Sequence, residues 1–281
     1  MMKYALCNEL FGRTDLETAA YISKKAGYDG IEFAPYTVFG SFSPADVQTG
    51  IAKIKKVLAD NDLAFVGFHW LLADNRGPGA GARPMSLVSP DTAQRNAALN
   101  RLKLLLSAAG ELGGGVLILG SSKQRSSSPG QSAAEATAML CDSFSSLGDH
   151  AVKCGSTLLI EALDHNHCNV INTLEQVKEL VDAVSSPGIA SMFDFHNCGD
   201  EKESWDALIH KYSGIIKHIH INELDGGPPG SGTSDYLPAF RAIKETAFKN
   251  WISMEIFSTP ADASAAITDA MTFMKGIERK L

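Results

Sequence analysis

Short apolar segments alternate with longer amphipathic segments eight times along the chain, and this alternation limits the fold more than any other feature. The apolar segments have the length and composition of buried parallel strands. They span residues 3–7, 30–33, 64–70, 115–119, 157–163, 189–195, 215–221 and 251–257. Strands that alternate with helices along a chain form parallel sheets, so the pattern predicts an α/β protein.

The amphipathic segments predict a helix after each strand. Their predicted bounds are 14–26, 43–61, 91–112, 131–154, 173–184, 201–212, 235–248 and 261–281. A doubly wound sheet is the alternative, but no GxGxxG motif follows the first strand, as that fold would require for a dinucleotide. With no break in composition along the 281 residues, we predict one (β/α)8 TIM barrel domain over residues 1–281.

Charge and cysteine content narrow the classes of partner and compartment. The net charge is −7 and no dense run of Lys or Arg occurs, which argues against nucleic-acid binding. No stretch resembles a signal peptide or a membrane span. The cysteines are odd in number and none has CxxC spacing, so we expect reduced thiols in a cytoplasmic protein. They are Cys7, Cys141, Cys154, Cys168 and Cys198.

Two predicted loops are long and rich in glycine and proline, at residues 71–90 and 222–234. Both follow strands, which places them on the face of the barrel where active sites are found.

Four residues with metal-binding side chains recur near the ends of the last four predicted strands. They are Glu161, Asp194, His220 and Glu255, separated by 33, 26 and 35 residues. One βα unit takes about 30 residues or more, so the four are expected at similar heights around one end of the barrel.

Charges within apolar strands are costly unless they are paired or bound to a metal. Three converging carboxylates would also repel one another, and a divalent ion removes that penalty. Three carboxylates and one imidazole suit Mn²⁺, Mg²⁺, Co²⁺ or Fe²⁺ better than a structural zinc. The alternative is that each residue forms an unrelated salt bridge at the end of its strand.

The order of several short motifs resembles the xylose isomerase-like barrel superfamily, in the sugar phosphate isomerase/epimerase group that includes D-tagatose 3-epimerase. The resemblance covers nearly the whole chain. The segments that carry it are GYDGIEFAP at 27–35, LIE at 159–161, NVINT at 169–173, FD at 193–194, HIH at 218–220 and SME at 253–255.

The resemblance implies a metal bound by Glu161, Asp194, His220 and Glu255. It also implies that Glu161 and Glu255 act as an acid/base pair on a ketose, through an enediolate that the metal stabilises. The chain departs from the family at two places. Many relatives have His three residues after the Asp of strand six, where this chain has Asn197 and carries His196 instead. The epimerases' Arg in the loop after strand seven has no counterpart.

Further residues near strand ends are candidates for binding a small sugar. His69 is placed to bond a hydroxyl and Trp70 to cover the apolar face of the sugar; ordinary packing is the alternative for both. Glu32 is expected to bind a hydroxyl or to orient another group. His196 follows strand six at the same end of the barrel.

Two cations, Lys123 and Arg125, follow strand four. They would bind a phosphate or carboxylate of the substrate, unless they are solvated charges on a loop, which the sequence slightly favours.

The expected function is therefore a divalent-metal-dependent sugar isomerase or epimerase acting on a small keto-sugar or sugar phosphate. A dehydratase or lyase acting on a keto-inositol or keto-sugar is the alternative, because the same enolate can expel a β-hydroxyl. A DNA-repair endonuclease of the superfamily would need a basic groove, and a non-catalytic sugar-binding barrel would not need all four ligands. The sequence leaves open the sugar, the metal and whether the protein is a homo-oligomer.

Overall fold

The eight strands form a closed parallel barrel in the computed structural model, which describes residues 1–12, 14–73 and 85–281. The strands follow one another around the barrel in chain order, and β8 pairs with β1. They are β1 (Lys3–Cys7), β2 (Gly30–Phe33), β3 (Ala64–Phe68), β4 (Val116–Leu119), β5 (Thr157–Ile160), β6 (Ile189–Asp194), β7 (Ile216–Ile221) and β8 (Trp251–Met254). The predicted single-domain (β/α)8 barrel is confirmed.

At least one α-helix follows each strand. The helices are α1 (Leu16–Ala26), α2 (Pro35–Val38), α3 (Pro44–Asp60), α4 (Thr92–Glu111), α5 (Ala133–Lys153), α6 (Leu174–Val184), α7 (Trp205–Tyr212), α8 (Leu237–Glu245) and α9 (Ala263–Glu278). The short α2 and the 3-10 helices Asn8–Phe11 and Ser122–Gln124 were not predicted, because elements of three or four residues show no helical period.

Several predicted bounds were wrong near the C-terminal ends of the strands. Strand β5 ends at Ile160 and β8 at Met254, so Glu161 and Glu255 lie just beyond them. After Ile160 the chain bonds to its own loop, where the Leu163 N–H donates to the Ile171 carbonyl. Apolar composition continues past this point, which is why the sequence pattern overestimated the strands.

The alternation of side chains along each strand directs the polar residues into the barrel. Ile160 and Met254 belong to the main hydrophobic core, whereas Leu159 and Met192 form a separate small cluster with Ile118 and Ala190. Successive side chains on a strand point to opposite faces. Glu161 therefore faces the same side as Leu159, and polar residues continue the barrel interior above this apolar layer.

No helix in the described ranges is long and apolar enough to cross a membrane. Residues 74–84, the centre of the loop predicted at 71–90, lie outside the described residues.

Candidate metal centre and active site

The four predicted metal ligands lie together at the C-terminal ends of the last four strands. Glu161 follows β5, Asp194 ends β6, His220 lies in β7 and Glu255 follows β8. One potential ligand atom from each lies within 4.8 Å of those of the other three, and all four residues are buried. The structure thus brings three carboxylates and one imidazole to one place at the mouth of the barrel.

The His220 ring is oriented by carboxylates on both of its nitrogens. Nδ1 lies 2.8 Å from Glu255 Oε2 and 3.6 Å from Asp194 Oδ2, while Nε2 lies 3.1 Å from Glu32 Oε1. Burial lowers the pKa of His220, but the charges of Glu255 and Glu32 outweigh burial and raise it well above its ordinary value. Without a cation in the site, these carboxylates therefore favour the protonated form of His220.

Glu161 is held from two sides. The Asn197 side-chain amide donates a hydrogen bond of 2.8 Å to Oε1. On the other side lies Gly120, directly after β4, where a Cβ atom would overlap Oε2. Burial, together with the Asp194 and Glu255 carboxylates, raises the pKa of Glu161 to about 8. A carboxyl group with this pKa can both hold and release a proton near neutral pH.

Asp194 is fixed by the loops after β6 and β7. Its Oδ1 accepts hydrogen bonds from the backbone N–H groups of His196 at 2.7 Å and Asn197 at 3.0 Å. The Asn222 side-chain amide donates to Oδ2 at 3.4 Å. These donors leave Oδ2, the oxygen nearer His220, turned toward the cluster.

Glu32 lies beneath the cluster and contacts three histidines. It is fully buried, with His218 Nε2 at 2.8 Å from Oε2 and His69 Nδ1 at 3.1 Å from Oε1, the oxygen that also faces His220. Burial would raise the pKa of Glu32, but His220 and His218 outweigh it and hold the pKa well below its ordinary value. Its ionised carboxylate fixes the His220 ring so that Nδ1 faces the cluster, as carboxylates do for metal-binding histidines.

The donor set fits a divalent cation. His220 Nδ1 is buried and has no well-directed hydrogen bond among the described residues, despite its short distance to Glu255. Two other groups within the described ranges bring ligand atoms together, and both contain Cys7. Burial raises the pKa of Cys7 to about 12, so it stays a thiol and is a poor ligand. Oxygen-rich coordination by the four-residue group suits Mn²⁺ or Mg²⁺.

The residues predicted to bind substrate are buried to different extents. His69 is buried, with Nε2 at 2.7 Å from Glu9 Oε2. Its Nδ1 lies 3.1 Å from Glu32 Oε1 but makes no well-directed hydrogen bond within the described residues. Glu32 is fully buried, and its two carboxylate oxygens face histidine nitrogens. Of the two roles that the sequence offered for Glu32, its contact with His220 favours orienting another group, and binding of a sugar hydroxyl stays a prediction.

The other predicted substrate contacts lie nearer the surface. Trp70 is half-buried and has a left-handed backbone with φ of 50°. The His196 ring is on the rim, where Nδ1 lies 2.8 Å from the Leu224 carbonyl and the ring packs on Phe257. Lys123 is exposed on the 3-10 helix after β4, as a solvated loop charge would be.

Sequence reasoning assigned no role to Asn197 or His218. A signal for His218 was present, because it lies two residues before His220 in the same strand and therefore faces the same side. Asn197 was noted only as a departure from the family, whereas the structure makes it the hydrogen-bond donor to Glu161. Arg125, expected to be solvated, is completely buried; this expectation was wrong.

A comparison with known families identifies the fold family. The family model described as xylose isomerase-like TIM barrel matches residues 20–277. The chain belongs to this family. The family resemblance inferred from the sequence motifs is therefore confirmed.

The relatives of this xylose isomerase-like barrel include several named as epimerases and isomerases, in agreement with the predicted enzyme class, and one named inosose dehydratase. A fructoselysine 3-epimerase of Escherichia coli O157:H7 is 23% identical over 252 residues, covering 87% of this chain and 86% of the relative. A ketose 3-epimerase of Arthrobacter globiformis is 24% identical over 277 residues, covering 96% and 86%.

Solved structures show the same fold. A 3-keto-D-glucoside 4-epimerase from E. coli superposes with a TM-score of 0.83 at 19% identity, over 98% of this chain and all of the other.

Proposed function

We propose that this protein is a divalent-metal-dependent epimerase or isomerase of keto-sugars. The observation that carries the proposal is the convergence of three buried carboxylates and one imidazole within 4.8 Å at the barrel mouth. The relatives that match most of the chain include a ketose 3-epimerase, which supports a ketose as the substrate class.

Glu161, Asp194, His220 and Glu255 would hold the cation, with Nδ1 as the histidine ligand. When bound, the cation would polarise the ketone of the sugar and the hydroxyl beside it. Glu32 keeps the His220 ring oriented for this role, and Asn222 and the backbone after β6 keep Asp194 in place.

Glu161 and Glu255 would exchange protons with the substrate carbon next to the ketone. One carboxylate accepts the proton of the C–H bond, whose electron pair moves toward the ketone to give the enediolate. The other, as a carboxylic acid, donates a proton to the opposite face of that carbon, which inverts its configuration. The two are held from different sides of the barrel mouth, Glu161 by Asn197 and Gly120 and Glu255 beside His220.

The test is deuterium incorporation and epimer formation in heavy water, with D-fructose and D-tagatose as probes and saturating Mn²⁺. Glu161→Gln and Glu255→Gln should each lose epimerisation by at least about 100-fold, whereas Glu179→Gln, an exposed carboxylate on α6, should match the wild type. Exchange without inversion in one variant fits the scheme, because the remaining carboxylate still forms the enediolate.

Full epimerisation by either variant would refute the two-glutamate assignment. A product that has lost water would instead support the dehydratase alternative, since the same enediolate would then expel a hydroxyl. No exchange with any ketose, with Mn²⁺ bound, would refute the proposed function.

A further inference from the structure

Arg125 is a buried cation that the mechanism above does not use. It follows the 3-10 helix after β4, and its side chain is completely buried. Within the described residues, Nε and both Nη atoms lack a hydrogen-bond partner. A buried guanidinium with no acceptor carries a large free-energy penalty. An acceptor supplied by a ligand would remove that penalty.

The position of Arg125 associates it with the active site. Its electrostatic neighbours are Glu161 and Cys168, and burial lowers its pKa despite them. Gly120, between β4 and the Arg125 turn, packs directly against Glu161. Ser126 donates a hydrogen bond to the Cys168 sulfur at 3.5 Å, which joins this turn to the loop after β5. Arg125 therefore lies on the Glu161 side of the barrel mouth.

The chemistry of the surroundings favours a carboxylate as the acceptor. The planar fork of a guanidinium matches both oxygens of one carboxylate. A phosphate dianion carries more charge than a carboxylate and is usually bound by several cations. Here residues 222–234 contain no Lys or Arg, but do contain Glu223 and Asp225, and Lys123 is exposed.

We propose that Arg125 binds a carboxylate of the substrate, so that the enzyme acts on keto-sugar acids. This inference rests on the proposed function for the substrate class, while the anion site itself is independent of turnover. Arg125 is thus assigned as the residue that determines specificity for an acidic sugar.

The kinetic test compares three ketoses that differ only at one end: D-fructose, D-fructuronate and D-fructose 6-phosphate. For the Mn²⁺-loaded enzyme, kcat/KM for deuterium exchange should be at least about tenfold higher with D-fructuronate than with D-fructose. Arg125→Met should lose that preference, so that its kcat/KM for D-fructuronate falls to the level of its kcat/KM for D-fructose. Arg125→Lys should keep part of the preference for D-fructuronate. Lys123 is an exposed cation of the same turn, and Lys123→Gln should keep all of that preference.

A binding test separates this inference from the proposed function. D-gluconate and D-glucitol have no ketone, so their binding by calorimetry does not depend on turnover. The wild type should bind D-gluconate more tightly than D-glucitol, and Arg125→Met should bind them alike. If D-gluconate binds through Arg125 in this way but no ketose exchanges deuterium, the proposed function is refuted and the carboxylate-binding site is supported.

Three results would overturn the inference: equal affinity of wild type and Arg125→Met for D-gluconate, an equal loss of exchange with D-fructose and D-fructuronate, or a preference for D-fructose 6-phosphate alone. Folding provides a further check. Replacing an unpaired buried charge by an apolar chain of similar length should not lower the melting temperature. A marked drop for Arg125→Met would indicate a structural partner instead.

Discussion

Binding of a divalent cation should depend steeply on pH, because Glu161 holds a proton that the cation must displace. Its pKa is raised to about 8 by burial and by the Asp194 and Glu255 carboxylates. At pH 6, about two units lower, only about 1% of Glu161 is ionised. The apparent affinity for Mn²⁺ should therefore be about 100-fold below its alkaline plateau, a difference of ~2.7 kcal/mol. His220, whose pKa is also raised, releases a second proton and steepens the dependence.

The assay is isothermal titration calorimetry of the metal-free protein with Mn²⁺ at pH 6, 7 and 8. Repeating each titration in two buffers with different ionisation enthalpies gives the number of protons released per ion. At least one proton should be released at pH 6 and 7. Glu161→Gln should release one proton fewer per Mn²⁺ ion than the wild type, because only the His220 proton is then displaced. Its affinity for Mn²⁺ should therefore depend less steeply on pH.

Equal Mn²⁺ affinity at pH 6 and pH 8, with no proton released, would refute this reasoning. An unchanged slope in Glu161→Gln would place the displaced proton on another residue.

Three further predictions follow from the surroundings of the cluster. Glu32→Gln removes the charge that orients His220 and should weaken Mn²⁺ binding about 10- to 100-fold, as calorimetry can measure. Gly120→Ala places a methyl group where Glu161 Oε2 lies, so deuterium exchange should fall by at least about tenfold while circular dichroism shows an intact fold. The metal-free protein should lose stability as pH rises from 4.5 to about 8, because the folded state keeps the Glu161 proton that the unfolded chain releases near 4.5. Urea unfolding in EDTA at several pH values would test this. If the free energy of unfolding falls with pH as steeply in Glu161→Gln as in the wild type, the prediction is contradicted.

The sequence predicted the residues whose placement depends on regular spacing. Glu161, Asp194, His220 and Glu255 recur about once per βα unit, and a closed barrel brings equivalent strand positions to one rim. The predicted convergence of these four residues therefore holds even where the predicted strand ends are wrong by a few residues.

Regular spacing does not predict side-chain contacts between strands that are far apart in the sequence. Glu32 meets His220 across 188 residues of chain, and no local pattern states which way either side chain turns. The burial of Arg125 likewise depends on how the loops after β4 and β5 pack. A loop cation is ordinarily solvated, so a sequence-based expectation favours exposure.

The central claim is that Glu161, Asp194, His220 and Glu255 bind one divalent cation, and anomalous diffraction from crystals soaked in Mn²⁺ tests it most directly. The account predicts one strong anomalous peak at about 2.0–2.6 Å from a carboxylate oxygen of each acidic residue and from His220 Nδ1. A peak bound by Cys7 and Glu9 instead, ligation through His220 Nε2, or no ordered peak at saturating Mn²⁺ would contradict it.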